Sequence, residues 1–178
     1  MNRQPTPSPG RAKMFAEAAH AGQTYDKYPY TYHLSQVVLI LEKFGWDDSA
    51  MICAGWLHDS IEDTNTSYND IKTEFGEEVA ELVYAVTNEL GRNRKERNER
   101  TYPKIRNNER ATAIKLADRI ANVEHGSING GKDEMYKKEF PSFEGWLRPT
   151  GEDKIREEDD RIRKMWRHLR KLLEIPKE

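Results

Sequence analysis

Apolar residues recur along this chain at intervals of three and four, and no segment alternates with the period of two that a half-buried strand requires. Leu34, Val37, Val38 and Leu41 form one such stripe, and Val79, Leu82, Val83 and Val86 form another. Ile155, Ile162, Met165, Trp166, Leu169 and Leu172 form a third. A 3.6-residue repeat gathers each set on one helix face, which other helices must cover. The expected fold class is therefore all-α, a compact helical bundle without strands.

Punctuation between the stripes sets the expected elements. Pro5, Pro7 and Pro9 remove backbone donors from residues 1–10, which read as a flexible tail before one domain spanning 11–178. Met14, Phe15, Ala18 and Ala19 make a first helix that Gly22 stops, Pro29 opens the second and Gly45 closes it. Asp47 and Asp48 start a third, whose apolar stretch 50–57 runs straight into His58 and Asp59. The segment 64–67 reads as a capping loop before a short helix carrying Ile71 and Phe75, and Gly76 separates this from a helix over 77–90. A long helix should hold 108–123, with Gly126, Gly130 and Gly131 breaking the pattern beyond it. Residues 141–151 read as an irregular connection and 152–173 as the final amphipathic helix.

Charge bounds the partners. Of 178 residues 34% are charged, yet 29 Lys and Arg nearly balance 31 Asp and Glu, and 8 Tyr, 5 Phe and 4 Trp are too many aromatics for a disordered chain. The balance gives no reason to expect a nucleic-acid or membrane partner. No stretch approaches the length of a membrane span and no signal-peptide core precedes a cleavage site, so the expected location is cytoplasmic. A lone cysteine, Cys53, rules out an intrachain disulfide and fits a buried structural role. Residues 92–110 carry eight basic side chains against three acidic ones, which suits a solvated face or the border of an anion site.

The residues able to carry chemistry are His33, His58, Asp59 and Asp118, two imidazoles and two carboxylates spread over three expected helices. His58 and Asp59 end an otherwise apolar helix, where burying charge is costly unless it is paired or bound to metal. Glu62 and Asp63 follow at three and four residues, so one helical turn can set an acid-base carboxylate beside a metal-binding one. The same acids can simply end and solubilise a helix. Lys115, Asp118, Arg119 and Asn122 share one face of the long helix beside the apolar Ala113, Leu116, Ile120 and Val123. Such a face suits a metal-and-anion cleft, and it is also what an exposed helix shows.

In chain order the motifs are His20-x-Gly22-Gln23, Pro29-Tyr30-x-x-His33, Trp56-Leu57-His58-Asp59-x-x-Glu62-Asp63-Thr64, Phe75-Gly76-x-x-Val79 and Lys115-Leu116-Ala117-Asp118-Arg119-x-x-Asn122. This set resembles the HD-domain hydrolases of guanosine tetra- and pentaphosphate, the alarmones of the stringent response. More narrowly it is similar to the small stand-alone alarmone hydrolases and to the hydrolase domain of the bifunctional alarmone synthetase/hydrolases. The resemblance implies an HD-domain helical bundle that releases pyrophosphate from the nucleotide 3′ position. It implies one divalent ion, typically manganese, held by His33, His58, Asp59 and Asp118, with Glu62 and Asp63 as the catalytic acids. Asn122 matches a position at the nucleotide sugar and phosphate, Lys115 and Arg119 can offset phosphate charge or brace ligands, Arg119 can equally make an internal salt bridge, and Thr64 matches a supporting residue.

One departure bears on the substrate. After Gln23 the family usually carries an Arg-Lys pair near the base, where this chain has Tyr25 and Asp26 followed by Lys27. Tyr25 can stack on a purine but brings no positive charge. The expected partner is a phosphorylated purine nucleotide, with an adenine alarmone or NADPH as the alternative substrate. A metal-containing nucleotide-binding regulator with little turnover is the alternative in kind.

Overall fold

From Ala50 to Leu57 only Trp56 escapes burial, so the helix carrying them, α3 (Ser49–Leu57), has no solvent face and must run through the middle of the molecule. The computed structural model describes residues 5–106, 108–129, 133–148 and 158–176. In chain order the first helices besides α3 are α1 (Pro9–Ala19), α2 (Tyr30–Lys43), α4 (Ser60–Asp63), α5 (Tyr68–Phe75) and α6 (Glu77–Val86). They are followed by α7 (Arg94–Ile105), α8 (Glu109–Asn129), α9 (Asp133–Leu147) and α10 (Asp160–Leu172). Helices α1, α2, α6 and α8 pack directly on α3, and α10 lies against α8. The all-helical expectation holds for the bulk of the chain.

Capping follows local chemistry. Asp48 accepts the Met51 amide at 3.2 Å, and Ser67 with Asp70 forms a reciprocal capping box that opens α5. Gly45 ends α2 with φ 81, a conformation that favours glycine. Ile162, Met165, Trp166 and Leu169 of α10 are all buried, each worth roughly 1.5–3 kcal/mol of apolar burial.

Several boundaries differ from expectation for identifiable reasons. Helix α1 begins at Pro9, inside the expected tail, because a proline at the first turn loses no intrahelical bond. A two-stranded antiparallel ribbon, β1 (Thr24–Tyr25) and β2 (Tyr28–Pro29), joins α1 to α2. Two-residue strands are too short to leave an alternation in the sequence. Helix α6 stops at Val86 rather than reaching residue 90, because Thr87 turns to extended backbone and donates its hydroxyl to the Val83 carbonyl at 2.8 Å. Gly126 lies within α8, and Pro141, expected in an irregular connection, lies within α9. There Tyr136, Phe140, Phe143 and Leu147 recur at helical spacing and are buried, which outweighs the proline's local penalty. Gly130, Gly131 and Ile155, with the expected start of the last helix near 152, lie outside the described residues.

Gly55 sets the distance between α2 and α3. A Cβ there would stand 2.9 Å from Leu41 Cδ1 and 3.1 Å from Val38 Cγ2, so any side chain at this position forces those two ends to give way. Gly55→Val is expected to cost about 3 kcal/mol in urea unfolding through overpacking. Gly55→Ala should cost less, because alanine regains about 1 kcal/mol of helix propensity; equal stability of the three proteins would contradict this packing.

Candidate metal centre and acidic pair

Helix α3 delivers His58 into the interior, and the neighbouring faces of α2 and α8 deliver His33 and Asp118 to the same place. One ligand atom from each of His33, His58 and Asp118 lies within 4.8 Å of the other two. Asp59 joins them: its Oδ2 is 3.1 Å from His58 Nε2 and 3.6 Å from His33 Nε2, while Asp118 Oδ1 is 3.3 Å from His33 Nε2. Both histidines are 3% exposed and both aspartates 17%. Four residues separated in the sequence by up to 85 positions thus form one buried cluster.

The tautomer of His58 suits a cation. Its Nδ1 faces the Gly55 carbonyl at 2.9 Å and donates to it, so once the ring gives up its second proton to a cation the lone pair lies on Nε2. That Nε2 is buried and lacks an aligned hydrogen-bond partner, even with Asp59 Oδ2 nearby. A buried acceptor aimed at a second imidazole and two carboxylates fits a divalent cation by donor chemistry. Electrostatics agree. Burial raises the Asp59 and Asp118 carboxyls, yet His58 beside Asp59, and Lys115 and His33 beside Asp118, hold both below the ordinary range. Burial lowers His58, but Asp59 and then Asp118 outweigh it and raise the imidazole to about 9.

The acidic pair occupies the single turn of α4. Glu62 accepts from the Asn88 amide at 3.2 Å and from Asn88 Nδ2 at 3.0 Å, so the end of α6 fixes its carboxylate. Asp63 is raised above the ordinary carboxyl value by burial and then by the Asp59 charge, and the Tyr30 hydroxyl reaches its Oδ2 at 3.0 Å. Thr64 closes the turn, donating to the Ser60 carbonyl at 2.6 Å.

Along the other side of the cluster, Tyr25 stacks on His33 at 4.8 Å between ring centroids and donates its hydroxyl to Asn122 Oδ1 at 2.7 Å. Asn122 donates to Asp118 Oδ1 at 2.6 Å, and Lys115 Nζ lies 3.4 Å from Asp118 Oδ2, so both belong to the cluster's border. Lys27 points elsewhere, to the Tyr28 ring at 5.3 Å. Arg119 does not face the cluster either. It is 5% exposed, pairs with Glu139 at 3.1 Å and lies over the Tyr136 and Phe143 rings, bracing α8 against α9. The basic run is largely consumed by ion pairs, among them Arg94 with Glu139, Arg100 with Glu96, and Lys104 with Glu89. Cys53 is buried.

Four further residues meet at the site without having been assigned a role from sequence: His20, Gln23, Tyr30 and Asn88. Tyr30 was recognisable, since three positions before His33 on one helix shares its face. Asn88 left no local signal, because its place depends on where α6 ends.

Comparison with known proteins places the site in context. A family model described as HD domain matches residues 12–139. A guanosine-3′,5′-bis(diphosphate) 3′-pyrophosphohydrolase of Aquifex aeolicus is 39% identical over 119 residues, covering 64% of this chain and 17% of that protein. An enzyme of the same description from Xenopus tropicalis is 33% identical over 117 residues, covering 63% of this chain and 65% of that one. The chain thus spans about a sixth of the bacterial relative and just under two thirds of the frog one. A solved structure described as a metazoan ortholog of SpoT that hydrolyses ppGpp superposes with a TM-score of 0.76 at 23% identity, over 98% of this chain and 99% of that one, and shares the fold. Among the described residues no helix is long and apolar enough to cross a membrane.

The His58 shift predicts how a cation acts on stability. A histidine raised from 6.5 to about 9 stabilises the ion-free fold below 6.5, and this contribution is lost as pH rises through about 9. A divalent ion should replace the missing positive charge, and protons should compete with it. Thermal unfolding should therefore show a larger ion-induced Tm gain at about pH 8.5 than at about pH 6; a larger gain at the lower pH would contradict the assignment.

Proposed function

The chain belongs to the HD-domain family, and on that premise we propose that it is a metal-dependent pyrophosphohydrolase acting on guanosine 3′,5′-bispyrophosphates and releasing pyrophosphate from the 3′ position. The observation that carries the reading is the convergence of His33, His58, Asp59 and Asp118 with Glu62 and Asp63 on the adjoining turn. The activity named for the Aquifex and Xenopus relatives supplies the substrate. We take 11–178 as a single hydrolase domain with a cytoplasmic setting, and manganese as the ion by the family resemblance, the imidazole and carboxylate donors accommodating it as they would zinc or iron.

His33, His58, Asp59 and Asp118 would hold the ion. When bound, a divalent cation supplies Lewis acidity and lowers the pKa of water. The reaction joins the water oxygen to the phosphorus on the 3′ oxygen and breaks that phosphorus–oxygen bond. Pyrophosphate leaves, and the ribose 3′ oxygen takes a proton. Glu62, fixed by Asn88 as an acceptor, is suited to take a proton from water. Asp63, whose carboxyl retains its proton to higher pH than usual, is suited to give one to the 3′ oxygen. Lys115 and Asn122 border the cluster where phosphate and ribose would lie, Tyr25 offers a ring for the base, and Lys27, turned onto the Tyr28 ring, would have to swing inward to meet the nucleotide. Thr64 and Arg119 support this frame from behind.

Incubated with manganese and guanosine tetraphosphate, the full chain should yield guanosine 5′-diphosphate and pyrophosphate. Glu62→Gln or Asp63→Asn should lower turnover by about 100-fold or more while the nucleotide still binds. Metal-loaded wild type that binds the nucleotide and leaves it intact would overturn the reading in favour of a regulatory protein. The Tyr25-Asp26 pair favours testing a second substrate class alongside: release of phosphate from NADPH or hydrolysis of an adenine alarmone, with guanosine tetraphosphate untouched, would transfer the site to those nucleotides.

A further inference from the structure

Tyr30 stands where the ion-holding cluster and the acidic pair meet. Its hydroxyl lies 2.8 Å from Asp59 Oδ2 and 3.0 Å from Asp63 Oδ2, so one group touches a carboxylate of each set. The ring cannot swing away. His20, 2% exposed, stacks flat on it at 4.7 Å with an interplanar angle of 7°. The Tyr30 amide is also pinned, donating to the Gln23 carbonyl at 3.1 Å.

Gln23 closes a loop. Its Nε2 donates to the Asp63 backbone carbonyl at 2.7 Å, which turns its Oε1 toward His20 Nδ1 at 2.8 Å. The circuit therefore runs from His20 through the stack to Tyr30, through the hydroxyl to Asp63, through the carbonyl to Gln23, and back to His20. It gives Asp63 two independent restraints, one on the side chain and one on the main chain. Asp59 receives one, on the same oxygen that lies nearest both imidazoles.

We propose that Tyr30 is a positioning residue that couples the orientation of the ion-holding carboxylate Asp59 to that of the proton-transferring carboxylate Asp63, with the His20 ring stacked against it and the Gln23 side chain as a separate tether of the Asp63 main chain. The inference rests on the hydrolase reading for Asp63 but not for Asp59. Partners that orient metal-ligating carboxylates typically contribute about 10–100-fold in affinity or activity.

Tyr30→Phe keeps the ring and its stack while removing the hydroxyl, and Gln23→Ala removes a contact to Asp63 without touching Asp59. Manganese affinity by calorimetry, thermal unfolding, and separate kcat and KM should be measured on the full chain. Tyr30→Phe should weaken manganese binding about 10-fold and lower kcat at saturating manganese about 10–100-fold with KM near wild type. Gln23→Ala should lower kcat but leave manganese affinity within about twofold. Either manganese affinity or kcat of Tyr30→Phe staying at the wild-type value would overturn the coupling. So would a loss of Tm with unchanged affinity per folded molecule, or a Gln23→Ala protein that loses affinity as Tyr30→Phe does. If no nucleotide is hydrolysed, the manganese arm still tests the Asp59 half.

Discussion

Two carboxylates buried beside two imidazoles impose the condition that the rest of this structure meets. Asp59 and Asp118, each only 17% exposed, cannot both remain charged at low cost unless positive charge stands with them, because desolvation of an uncompensated carboxylate costs up to several kcal/mol. Lys115 compensates Asp118 in part and His58 compensates Asp59, yet His58 Nε2 and its neighbours still converge on one point. A divalent cation satisfies the two carboxylates and the unpartnered imidazole nitrogen together. The arrangement is therefore better explained as a cation site than as a set of internal ion pairs.

Holding such a cluster requires a rigid surround, and the packing supplies one on each side. Helix α3 is apolar on every face, which commits His58 to the interior, and the glycine at its contact with α2 brings His33 within reach. On the far side of α8 the Arg119 guanidinium lies between two aromatic rings and pairs with Glu139, so the helix bearing Asp118 is fastened from behind by a group that never faces the cluster. Arg94 reaches the same carboxylate from α7. Charges that looked available for anion steering thus serve to join helices, and the positive charge nearest the site is Lys115. A substrate bearing several phosphates would depend on the bound cation and on this lysine more than on the basic run.

The periodicity of the apolar stripes made the bundle legible, and the apolar approach to His58 and Asp59 marked those two as paired or metal-bound, because both follow from what a buried helix demands of its sequence; their joining with His33 and Asp118 was implied only by the resemblance to the HD-domain hydrolases. The boundaries were less so. Pro141 lies inside a helix because four buried large side chains outvote one local penalty, and no window of sequence around it displays those tertiary partners. The ribbon that carries Tyr25 was hidden by its length. Arg119 shared a helical face with Lys115 and Asn122 in projection, yet it turns inward, because a long side chain at the edge of a face can follow whichever neighbour offers an acid and aromatic rings. Glu62 and Asp63 were visible as a pair. Their division of labour was not, since it rests on Asn88 and Tyr30, which the chain supplies from 26 and 33 positions away.

The most direct measurement of the central claim is the electron paramagnetic resonance of manganese bound to the full chain, with nitrogen couplings resolved by pulsed methods. The account predicts one high-affinity ion per chain coupled to two imidazole nitrogens, one coupling disappearing in His33→Ala and the other in His58→Ala. Manganese bound without nitrogen coupling, or with couplings that survive both substitutions, would contradict it.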